Sequence, residues 1–462
     1  QAVKDILLGE GNTAMLSHEL IRSIVMSRNE DLYDLLGRFL LAARLQEGAR
    51  QAVCETMDAG RPEAFLHLFT VIEENNLIRY SSVKRAVSTW IGIFNEKSVD
   101  RISEKLLRMM GRCLRETEFC EEQLVSEDSV AISWALLAKG FYDAKLAVRA
   151  VRELISHGTR HQKMTASYFC LSLQEESLKM QSSKEIILNY PDDLELTACF
   201  LPGFMGSANS HFYRLVKEEG NNIYSFRGSK VTEPKKMEPE EMFSDREEAE
   251  RSYDILKDIL GRLPKKGLTF SPCIFPWHQV SIGPSVIAQR LCLIAWMLQD
   301  EERLDEAAGY IPLIGQGEGY SYYSASRAAA ARLLLYRPVS ESRKKVLFEL
   351  LHNPEEYTNE EAYHLVDDME LEESDFIQIE KNLKYKKGRK GSLALLEKQN
   401  YGQLAGCIVR LLGDKSEDCR MGALDLALRL KKEDAKHFED VIPHLQAMST
   451  PTGKQQLLID EL

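Results

Sequence analysis

Apolar residues recur along much of this chain at the three- and four-residue spacing of one face of an α-helix. Near the C-terminus, Leu404, Ile408, Leu411 and Leu412 fall on one face at positions i, i+4, i+7 and i+8. Gly413 follows directly, and glycine tolerates the left-handed conformation that closes many helices. The pattern therefore predicts an amphipathic helix that ends at Gly413.

A second helix is predicted immediately after this one. Ser416 can cap its N-terminus, and the carboxylates of Glu417 and Asp418 suit the positive end of the helix dipole. Its apolar face consists of Met421, Leu424, Ala427 and Leu428. Two such helices form a hairpin that cannot bury its apolar faces alone, because isolated helices of this length are marginal in water. Hairpins of this kind must stack on one another.

Several predicted second helices open with a basic residue that is followed by apolar or small residues three, six and seven positions later. These sets are Lys84 with Val87, Trp90 and Ile91; Lys163 with Ala166, Phe169 and Cys170; Arg327 with Ala330, Leu333 and Leu334; Arg389 with Ser392, Leu395 and Leu396; and Arg420 with Ala423, Leu426 and Ala427. Residues at these spacings return to the same helical face. The separations between the sets are irregular, which favours degenerate repeats. We therefore predict an all-α fold, a HEAT-like α-solenoid of stacked antiparallel helix pairs.

One proline-rich region departs from the helical pattern. Its prolines, each of which lacks a backbone donor and fixes its own φ angle, are Pro234, Pro239, Pro264, Pro272, Pro276 and Pro284. Ser244 and Glu247 have the spacing of a capping box and predict one helix inside the region. The apolar side of that helix would carry Ala249, Tyr253, Leu256, Leu260 and Leu263. The extended segment from Thr269 to Ser281 is predicted to form a short hairpin or to lie along the helices.

These patterns divide the chain into three predicted segments. An N-terminal helical-repeat half covers residues 1–219, an insertion or junction with one helix covers 220–285, and a C-terminal HEAT-like half covers 286–462. A single core stops growing at about 250–300 residues, whereas a repeat array has no such ceiling. Apolar residues make up 44% of the sequence, which excludes global disorder.

The net charge favours certain classes of binding partner, and the cysteine content favours one cellular compartment. The formal net charge is -12, which disfavours nucleic acid and favours a basic or neutral protein or peptide partner. The nine cysteines form no Cys-x-x-Cys pair, which favours a reducing, cytoplasmic setting. No membrane span is predicted, because the most apolar stretch, 286–298, is interrupted by Gln289 and Arg290.

Several segments in the first third of the chain resemble a known family. They are Glu55–Gly60, which runs into Pro62–Phe65, then Asn76–Val83, and Trp90. Together they resemble the N-terminal HEAT-like helical region of long uncharacterised bacterial proteins related to the molybdate metabolism regulator. The resemblance implies a bacterial, cytoplasmic part of a larger chain, and it supplies no reaction or catalytic residue. The start at Gln1, without a methionine, fits that expectation.

A basic cluster is the first candidate for a binding site. Its members within ten residues are Lys381, Lys384, Lys386, Lys387, Arg389 and Lys390. At the edge of a helical stack, Lys384, Lys386, Lys387, Arg389 and Lys390 would grip the phosphates of a polyanion. The alternative, which we favour, is a solvated turn at Gly388 between two helices.

Trp277 and His278 are the second candidate, because exposed aromatic side chains on an irregular segment can anchor a partner. The alternative, which we favour, is that they pack the segment onto the helices. His278 also follows Cys273 by five residues, and a cysteine with a histidine beside it can form an activated nucleophile. Nothing in the sequence places these two side chains together in space.

Two further patterns carry weaker chemistry. Gly315–Gly319 is a glycine-rich turn of the kind that can cradle phosphate, but no predicted strand precedes it, and a flexible loop is the favoured interpretation. His157 and His161 have a spacing that could hold a metal on one helix. Gly158 between them is expected to end a helix, which separates them.

The sequence contains no recognisable catalytic, cofactor-binding or metal-binding set. We therefore predict a non-catalytic helical-repeat scaffold that binds a protein or peptide partner on the surface formed by its stacked hairpins. A nucleic-acid-binding HEAT-like protein is the first alternative. An enzyme with its site at the proline-rich insertion is the second. The sequence indicates no cofactor and leaves the oligomeric state open.

Overall fold

The structure is a computed structural model that describes residues 2–8, 16–42, 47–92, 102–216, 231–275, 277–315, 322–338, 340–448 and 451–462. The helices in these ranges are α1 (Ala2–Leu7), α2 (His18–Met26), α3 (Glu30–Leu41), α4 (Glu47–Thr56), α5 (Pro62–Glu74), α6 (Ser81–Trp90), α7 (Glu104–Arg115), α8 (Thr117–Leu124), α9 (Ser129–Tyr142), α10 (Ala144–His157), α11 (Arg160–Ser172), α12 (Glu176–Asn189), α13 (Leu194–Phe200), α14 (Ala208–Val216), α15 (Arg246–Arg262), α16 (Pro284–Leu298), α17 (Glu301–Ala308), α18 (Tyr322–Leu335), α19 (Glu341–Leu350), α20 (Glu356–Asp367), α21 (Glu373–Glu380), α22 (Arg389–Leu396), α23 (Tyr401–Leu412), α24 (Glu417–Glu433), α25 (Ala435–Glu439), α26 (Ile442–Gln446) and α27 (Gly453–Glu461). The strands are β1 (Leu268–Phe270) and β2 (Val280–Ile282). The predicted all-α solenoid is confirmed. Across the described ranges, no helix combines the length and the apolar character needed to cross a bilayer.

The helices belong to two compact units. The first unit comprises Gln1–Gly206 together with Leu268–Ile282, and the second comprises Ser207–Gly267 together with Gly283–Leu462. The proline-rich region is therefore shared between them, because α15 belongs to the second unit and the two strands belong to the first. The predicted segment borders after residues 219 and 285 stay a prediction.

Helices of the first unit stack in two layers. In one layer α3, α5, α7, α9, α11 and α13 each contact the next helix of the series. In the other layer α2 contacts α4, α4 contacts α6, and α10 contacts α12. Consecutive helices also pack across the layers, as α9 does against α8 and α10. Each apolar face is thus covered by the partner in its pair and by the neighbouring pair, as expected for a solenoid.

The second unit repeats this arrangement. One layer runs through α14, α16, α18, α20, α22 and α24, and the other through α17, α19, α21, α23 and α25. Apolar side chains such as Leu291, Leu333 and Leu365 are fully buried between the layers. The core of each unit is therefore a continuous strip that each helix pair extends.

The hairpin predicted near the C-terminus is present as α23 and α24. Its first apolar face is buried, and Ser416 caps α24 by accepting a hydrogen bond from the Cys419 amide. The reason given for the end of α23 is wrong, because Gly413 has a φ of -80° and is not left-handed. Gly413 instead continues the helical turn, and its N–H donates to the Val409 carbonyl.

The basic residue that opens many second helices has a structural task. Lys163, Arg327, Arg389 and Arg420 each donate a hydrogen bond to a backbone carbonyl between the two helices or at the end of the preceding one. For Arg327 the distance from Nε to the acceptor is 2.7 Å. Carbonyls at helix ends lack intrahelical partners, and a cation stabilises the negative end of the helix dipole. Lys84 makes no such bond to any residue that the structure describes.

Ion pairs connect successive helix pairs of the second unit. The partners lie 28 to 32 residues apart in sequence, about the length of one helix pair. They are Arg327–Glu355, Arg332–Glu361, Arg337–Asp368, Asp367–Lys398, Glu380–Arg410 and Glu397–Arg429. The Arg332–Glu361 pair is almost completely buried, with side chains 0% and 3% exposed. Burial raises the pKa of the Glu361 carboxyl, and the guanidinium of Arg332 opposes that rise.

In its described residues, the proline-rich region forms one α-helix, one short 3-10 turn and one strand pair. The capping residue of α15 is Asp245, whose side chain accepts from the Glu248 amide, so the predicted capping box at Ser244 and Glu247 is wrong by one position. The predicted face is largely right, because Ala249, Tyr253, Leu256 and Leu263 are buried. Strands β1 and β2 are antiparallel, with Thr269 opposite Ser281. The short hairpin predicted as one option is therefore present.

We predict that Glu361→Gln destabilises the second unit by about 3 kcal/mol, because it leaves the Arg332 guanidinium buried without a countercharge. The free energy of unfolding is measured by urea denaturation followed by circular dichroism. The matched control is Asp368→Asn, which removes the carboxylate of a more exposed pair and should cost less than about 1 kcal/mol. Equal losses in the two variants would show that the buried pair is no more important than the exposed one.

Candidate functional site

An apolar groove of about 300 Å³ opens on the first unit. Residues from α5, α6, α7, α9, α10 and α11, and from the turn after α4, line it. Its aromatic and charged lining residues are Asp58, Phe65, Trp90, Trp134, Phe141 and Phe169. Among the lining residues that the structure describes, Asp58 is the only charged one. We call this feature the aromatic groove.

Ring packing and hydrogen bonds fix the aromatic walls. The ring centroid of Phe65 lies 5.3 Å from that of Trp90 and 4.8 Å from that of Phe141. The indole N–H of Trp90 donates to a backbone carbonyl of α4 at 2.9 Å, and that of Trp134 donates to a carbonyl of α7 at 3.0 Å. Because the polar atom of each indole is already bonded inside the protein, the two rings offer apolar carbon to the groove.

Small residues create the space between these rings. Ala138 and Ala147 line the groove and are buried, and Gly140 lies between them on the wall. A Cβ atom added to Gly140 would lie 3.3 Å from the Cβ atom of Ala147, which shows how closely α9 and α10 approach there. Larger side chains at these positions would occupy the groove. The groove therefore depends on three small residues in two adjacent helices.

Asp58 adds a carboxylate to an otherwise apolar site. Partial desolvation raises the pKa of this carboxyl, and the negative charge of Glu55 adds to the rise, whereas backbone amides of Asp58 and Ala59 oppose it. The side chain remains exposed to solvent. A cation placed beside Asp58 would favour its ionised form. The groove can thus hold an apolar side chain with a positive charge next to it.

The segment between β1 and β2 packs against a wall of the groove. The buried ring of Phe275 lies 6.0 Å from that of Phe169, which lines the groove. Trp277 stacks on Phe275 at 5.3 Å and stays 48% exposed. The backbone of Gly92, at a φ of +73°, comes so close that an added Cβ would lie 3.0 Å from the Trp277 ring. Phe275 attaches the segment to the helices, and a role of Trp277 in partner binding stays a prediction.

Cys273 and His278, which the sequence could not place together, are neighbours. The Sγ atom of Cys273 lies 3.0 Å from Nδ1 of His278. The ring of Tyr168 lies 4.9 Å from that of His278, and the Ser271 hydroxyl donates to the His278 carbonyl at 2.8 Å. Burial raises the pKa of the Cys273 thiol to about 11 and lowers the pKa of His278. Near neutral pH the pair is therefore a thiol beside an uncharged imidazole.

Contacts within the protein engage two members of the basic cluster. Arg389 forms a salt bridge of 2.8 Å with Asp418 and donates to the Leu383 carbonyl at 3.0 Å. Lys387 donates to the Pro354 carbonyl ahead of α20. These two side chains stabilise the turn between α21 and α22.

The other four members of the cluster face solvent. Lys381, Lys384, Lys386 and Lys390 are exposed and form no ion pair with any residue that the structure describes. The ammonium of Lys384 lies 4.9 Å from the centre of the Tyr385 ring. Polyanion binding stays a prediction, and within the cluster these four lysines are the side chains available for it.

The two candidate metal ligands have different partners. Gly158 is the C-cap of α10, so His157 ends one helix and His161 lies in the next, as expected. Nε2 of His161 lies 2.8 Å from the Ser129 hydroxyl, whereas Nε2 of His157 lies 3.8 Å from a carboxylate oxygen of Glu153. The two imidazoles are thus used in separate local contacts.

The glycine-rich turn is described only at its first residue. The N–H of Gly315 donates to the Ser285 hydroxyl at 2.9 Å. The amide that would begin a phosphate cradle is therefore bonded inside the protein. Residues 316–319 of the predicted turn lie outside the described residues.

The aromatic groove itself did not follow from sequence reasoning. Its lining residues are spread from position 58 to position 173, and the amphipathic pattern assigns most of them to the core. One signal was present, because Asp58, Phe65 and Trp90 lie in the segments that carry the family resemblance. These three residues come together at the groove, whereas the segment 76–83 contributes none of its lining.

Comparison with known proteins supplies a family but no activity. A family model described as "Family of unknown function (DUF5724)" matches residues 1–462. A crystal structure of Kap121p is 9% identical, with a TM-score of 0.30, and the match covers 99% of this chain and 50% of that protein. A crystal structure of a Kap121p mutant is 10% identical, with a TM-score of 0.32, and the match covers 100% of this chain and 52% of that protein. The chain thus spans about half the length of these structures.

A search among curated proteins finds no match. The family match extends over the whole chain, beyond the first third in which the resemblance was found. Neither the family description nor the similar structures mention the molybdate metabolism regulator. That part of the resemblance stays a prediction.

We predict that Gly388→Ala destabilises the second unit by more than about 2 kcal/mol. Gly388 has a φ of +83°, and an added Cβ would lie 1.8 Å from the Leu351 carbonyl oxygen, so the turn would have to move. Thermal unfolding followed by circular dichroism measures the change.

The control for this prediction is Gly261→Ala in the last turn of α15, where an added Cβ meets nothing within 4 Å. This variant should be stabilised by about 0.5–1 kcal/mol, because alanine loses less conformational entropy on folding. A Gly388→Ala protein as stable as the control would contradict the tight turn described here.

Proposed function

The chain belongs to the DUF5724 family, whose function is unknown, and we propose that it is a non-catalytic helical-repeat scaffold that binds a peptide segment of a partner protein in the aromatic groove. The observation that carries the proposal is the combination of a concave apolar site with one carboxylate among its lining residues. Sites of this volume, lined by aromatic side chains and a few placed polar groups, are typical of ligand binding.

The chemistry of the groove selects one kind of peptide. An aromatic or large aliphatic side chain would fill the space above Ala138, Gly140 and Ala147 and contact the rings of Phe65 and Phe141. A lysine or arginine next to it in the peptide would reach the carboxylate of Asp58. The formal net charge of -12 adds long-range attraction for such a segment. The proposed ligand is therefore an apolar anchor residue with a basic neighbour.

The groove is built before a ligand arrives, which supports this assignment. Its indole rings are held by hydrogen bonds to two different helices, and its wall is supported by Phe275. A site whose side chains are already ordered loses less conformational entropy on binding. Burial of one or two anchor side chains in such a site can supply most of the binding free energy.

Cellular location and context are also part of the proposal. All nine cysteines carry free thiols, which supports a reducing cytoplasm. We propose that the protein is bacterial and forms part of a larger chain, and this statement rests on the family resemblance alone.

We predict that short fluorescent peptides with a central Phe, Trp or Leu and flanking lysines bind the full chain at least about tenfold more tightly than peptides with flanking glutamates, a difference of about 1.4 kcal/mol. Fluorescence anisotropy measures the affinities. Ala147→Phe should abolish binding, because the new ring occupies the groove. The matched control is Ala144→Phe on the exposed side of the same helix, which should bind like the unaltered protein.

Two results would overturn the groove assignment. One is a Ala147→Phe protein with unchanged circular dichroism and thermal stability that still binds these peptides with full affinity. The other is a complete absence of binding across the peptide set, with the unaltered chain shown to be folded by the same measurements.

We predict that affinity for the lysine-flanked peptides falls as the pH is lowered through the pKa of Asp58, which lies above the ordinary value of 3.8. The ionised carboxylate attracts the lysine, and protonation removes that attraction, so the affinity decreases as the pH falls. Anisotropy titrations between about pH 7 and pH 4 measure it. Asp58→Asn should bind more weakly at pH 7 and show less pH dependence.

The matched control for the pH experiment is Glu118→Gln, which removes an exposed carboxylate on α8 outside the groove lining. It should retain the pH dependence of the unaltered protein. If Asp58→Asn and Glu118→Gln behave alike, the preference for basic peptides comes from the overall charge and not from Asp58.

A further inference from the structure

The strand pair of the first unit holds a nucleophile next to a base. Cys273 and His278 lie on the segment between β1 and β2, with Sγ and Nδ1 3.0 Å apart. The backbone N–H of Phe275 also interacts with the Cys273 sulfur and favours its anionic form. The arrangement contains the two groups that nucleophilic thiol chemistry needs, a sulfur and a proton acceptor within hydrogen-bond distance.

Accessibility distinguishes Cys273 from every other cysteine of the chain. The remaining eight, Cys54, Cys113, Cys120, Cys170, Cys199, Cys292, Cys407 and Cys419, are buried, whereas Cys273 is partly exposed. His278 is also partly exposed. Cys273 is therefore the most exposed cysteine of the chain, and it has an imidazole beside its thiol.

We propose that Cys273, with His278 as its base, is a site of covalent modification by electron-poor alkenes, the class that contains α,β-unsaturated carbonyl compounds. The proposal is independent of peptide binding in the aromatic groove. His278 positions the thiol and accepts its proton, and the sulfur of Cys273 is the nucleophile that forms the new bond.

The reaction is a conjugate addition in which all atoms are retained. The Cys273 sulfur forms a bond to the β-carbon of the alkene while its proton passes to Nδ1 of His278. The electron pair of the double bond moves toward the carbonyl and gives an enolate. The enolate carbon then takes the proton back from the imidazolium, which leaves a thioether and a neutral imidazole. Nothing is oxidised or reduced, and no group leaves.

The surroundings keep the pair uncharged before it reacts. Burial lowers the pKa of His278, so the imidazole can accept a proton at neutral pH. Burial raises the pKa of Cys273 to about 11, so only a small fraction of the thiol is ionised at neutral pH. The ring of Tyr168 packs on His278, and the buried thiol of Cys199 on α13 interacts electrostatically with Cys273. Burial raises the pKa of the Cys199 thiol to about 12, so that thiol adds no charge at neutral pH. Transfer of the proton to His278 during the attack is therefore the accessible route.

This mechanism gives the rate a characteristic dependence on pH. A reaction that uses the neutral imidazole as base becomes independent of pH above the pKa of His278, which lies below 6.5. A reaction through the free thiolate instead rises about tenfold per pH unit until the thiol pKa is reached. The two routes can therefore be told apart in the unaltered protein.

The test is the reaction of the full chain with N-ethylmaleimide, an electron-poor alkene, followed by intact mass and peptide mapping at several pH values from about 6.5 to 9. We expect a single adduct on Cys273, a rate that is nearly constant over this range, and no adduct in Cys273→Ser. His278→Gln should react about a hundredfold more slowly at pH 7 and gain the steep dependence on pH. The matched control is His157→Gln, an exposed histidine of the same unit, which should react like the unaltered protein.

Three outcomes would overturn the proposal. They are a first adduct on another cysteine, a steep rise of the rate with pH in the unaltered protein, or equal rates in His278→Gln and His157→Gln. The pH profile of the unaltered protein decides the matter even if His278→Gln fails to fold. Circular dichroism of each variant identifies such a failure.

Discussion

A short amphipathic helix cannot bury its own apolar face, and this constraint organises both units. Each helix here is covered by the partner in its pair and by the next pair along the same layer. The contacts are local in sequence, so the buried core lengthens in proportion to the number of helix pairs. The groove lies where α9 and α10 approach closely, at Gly140 and Ala147. Small residues there leave an apolar space beside the rings of Phe65, Trp134 and Phe169, which are themselves buried.

Many charged residues of this fold bond to backbone carbonyls or join one helix pair to the next. The cations that open second helices bind carbonyls that would otherwise lack partners, and a series of ion pairs spaced by about one repeat joins the pairs of the second unit. This use of charge changes the interpretation of the basic cluster. Arg389 looks like a polyanion ligand in the sequence, but it performs the same task as Arg327 and Arg420. The number of basic residues in such a sequence run is therefore larger than the number of positive charges that face solvent.

Sequence reasoning succeeded where the determinants are local. Most of the helical faces, the Ser416 cap and the helix end at Gly158 follow from spacing or from one residue type, and the strand pair was one of two options for its segment. It failed where alternatives differ by one position or by backbone geometry, as at Asp245, which caps α15 in place of Ser244, and at Gly413, which is not left-handed. It could not find the groove or the Cys273–His278 contact, because both depend on which side chains meet after packing. The pattern that marks Phe65, Trp134 and Phe169 as core residues is the same whether the space beside them is filled or open.

The groove and the Cys273–His278 pair are both local features of one helical-repeat unit. In a stack with local contacts, one pair can hold small residues at its interface while its neighbours supply the apolar burial, so a cavity at one position leaves the others intact. The irregular segment between β1 and β2 adds what helices alone do not provide. It places Phe275 against Phe169 in the wall of the groove and holds the half-buried Cys273 beside an imidazole. One buried aromatic ring, Phe275, attaches this non-helical segment to the stack. Its backbone does not follow the helical pattern that builds the core, so its other side chains can point toward solvent.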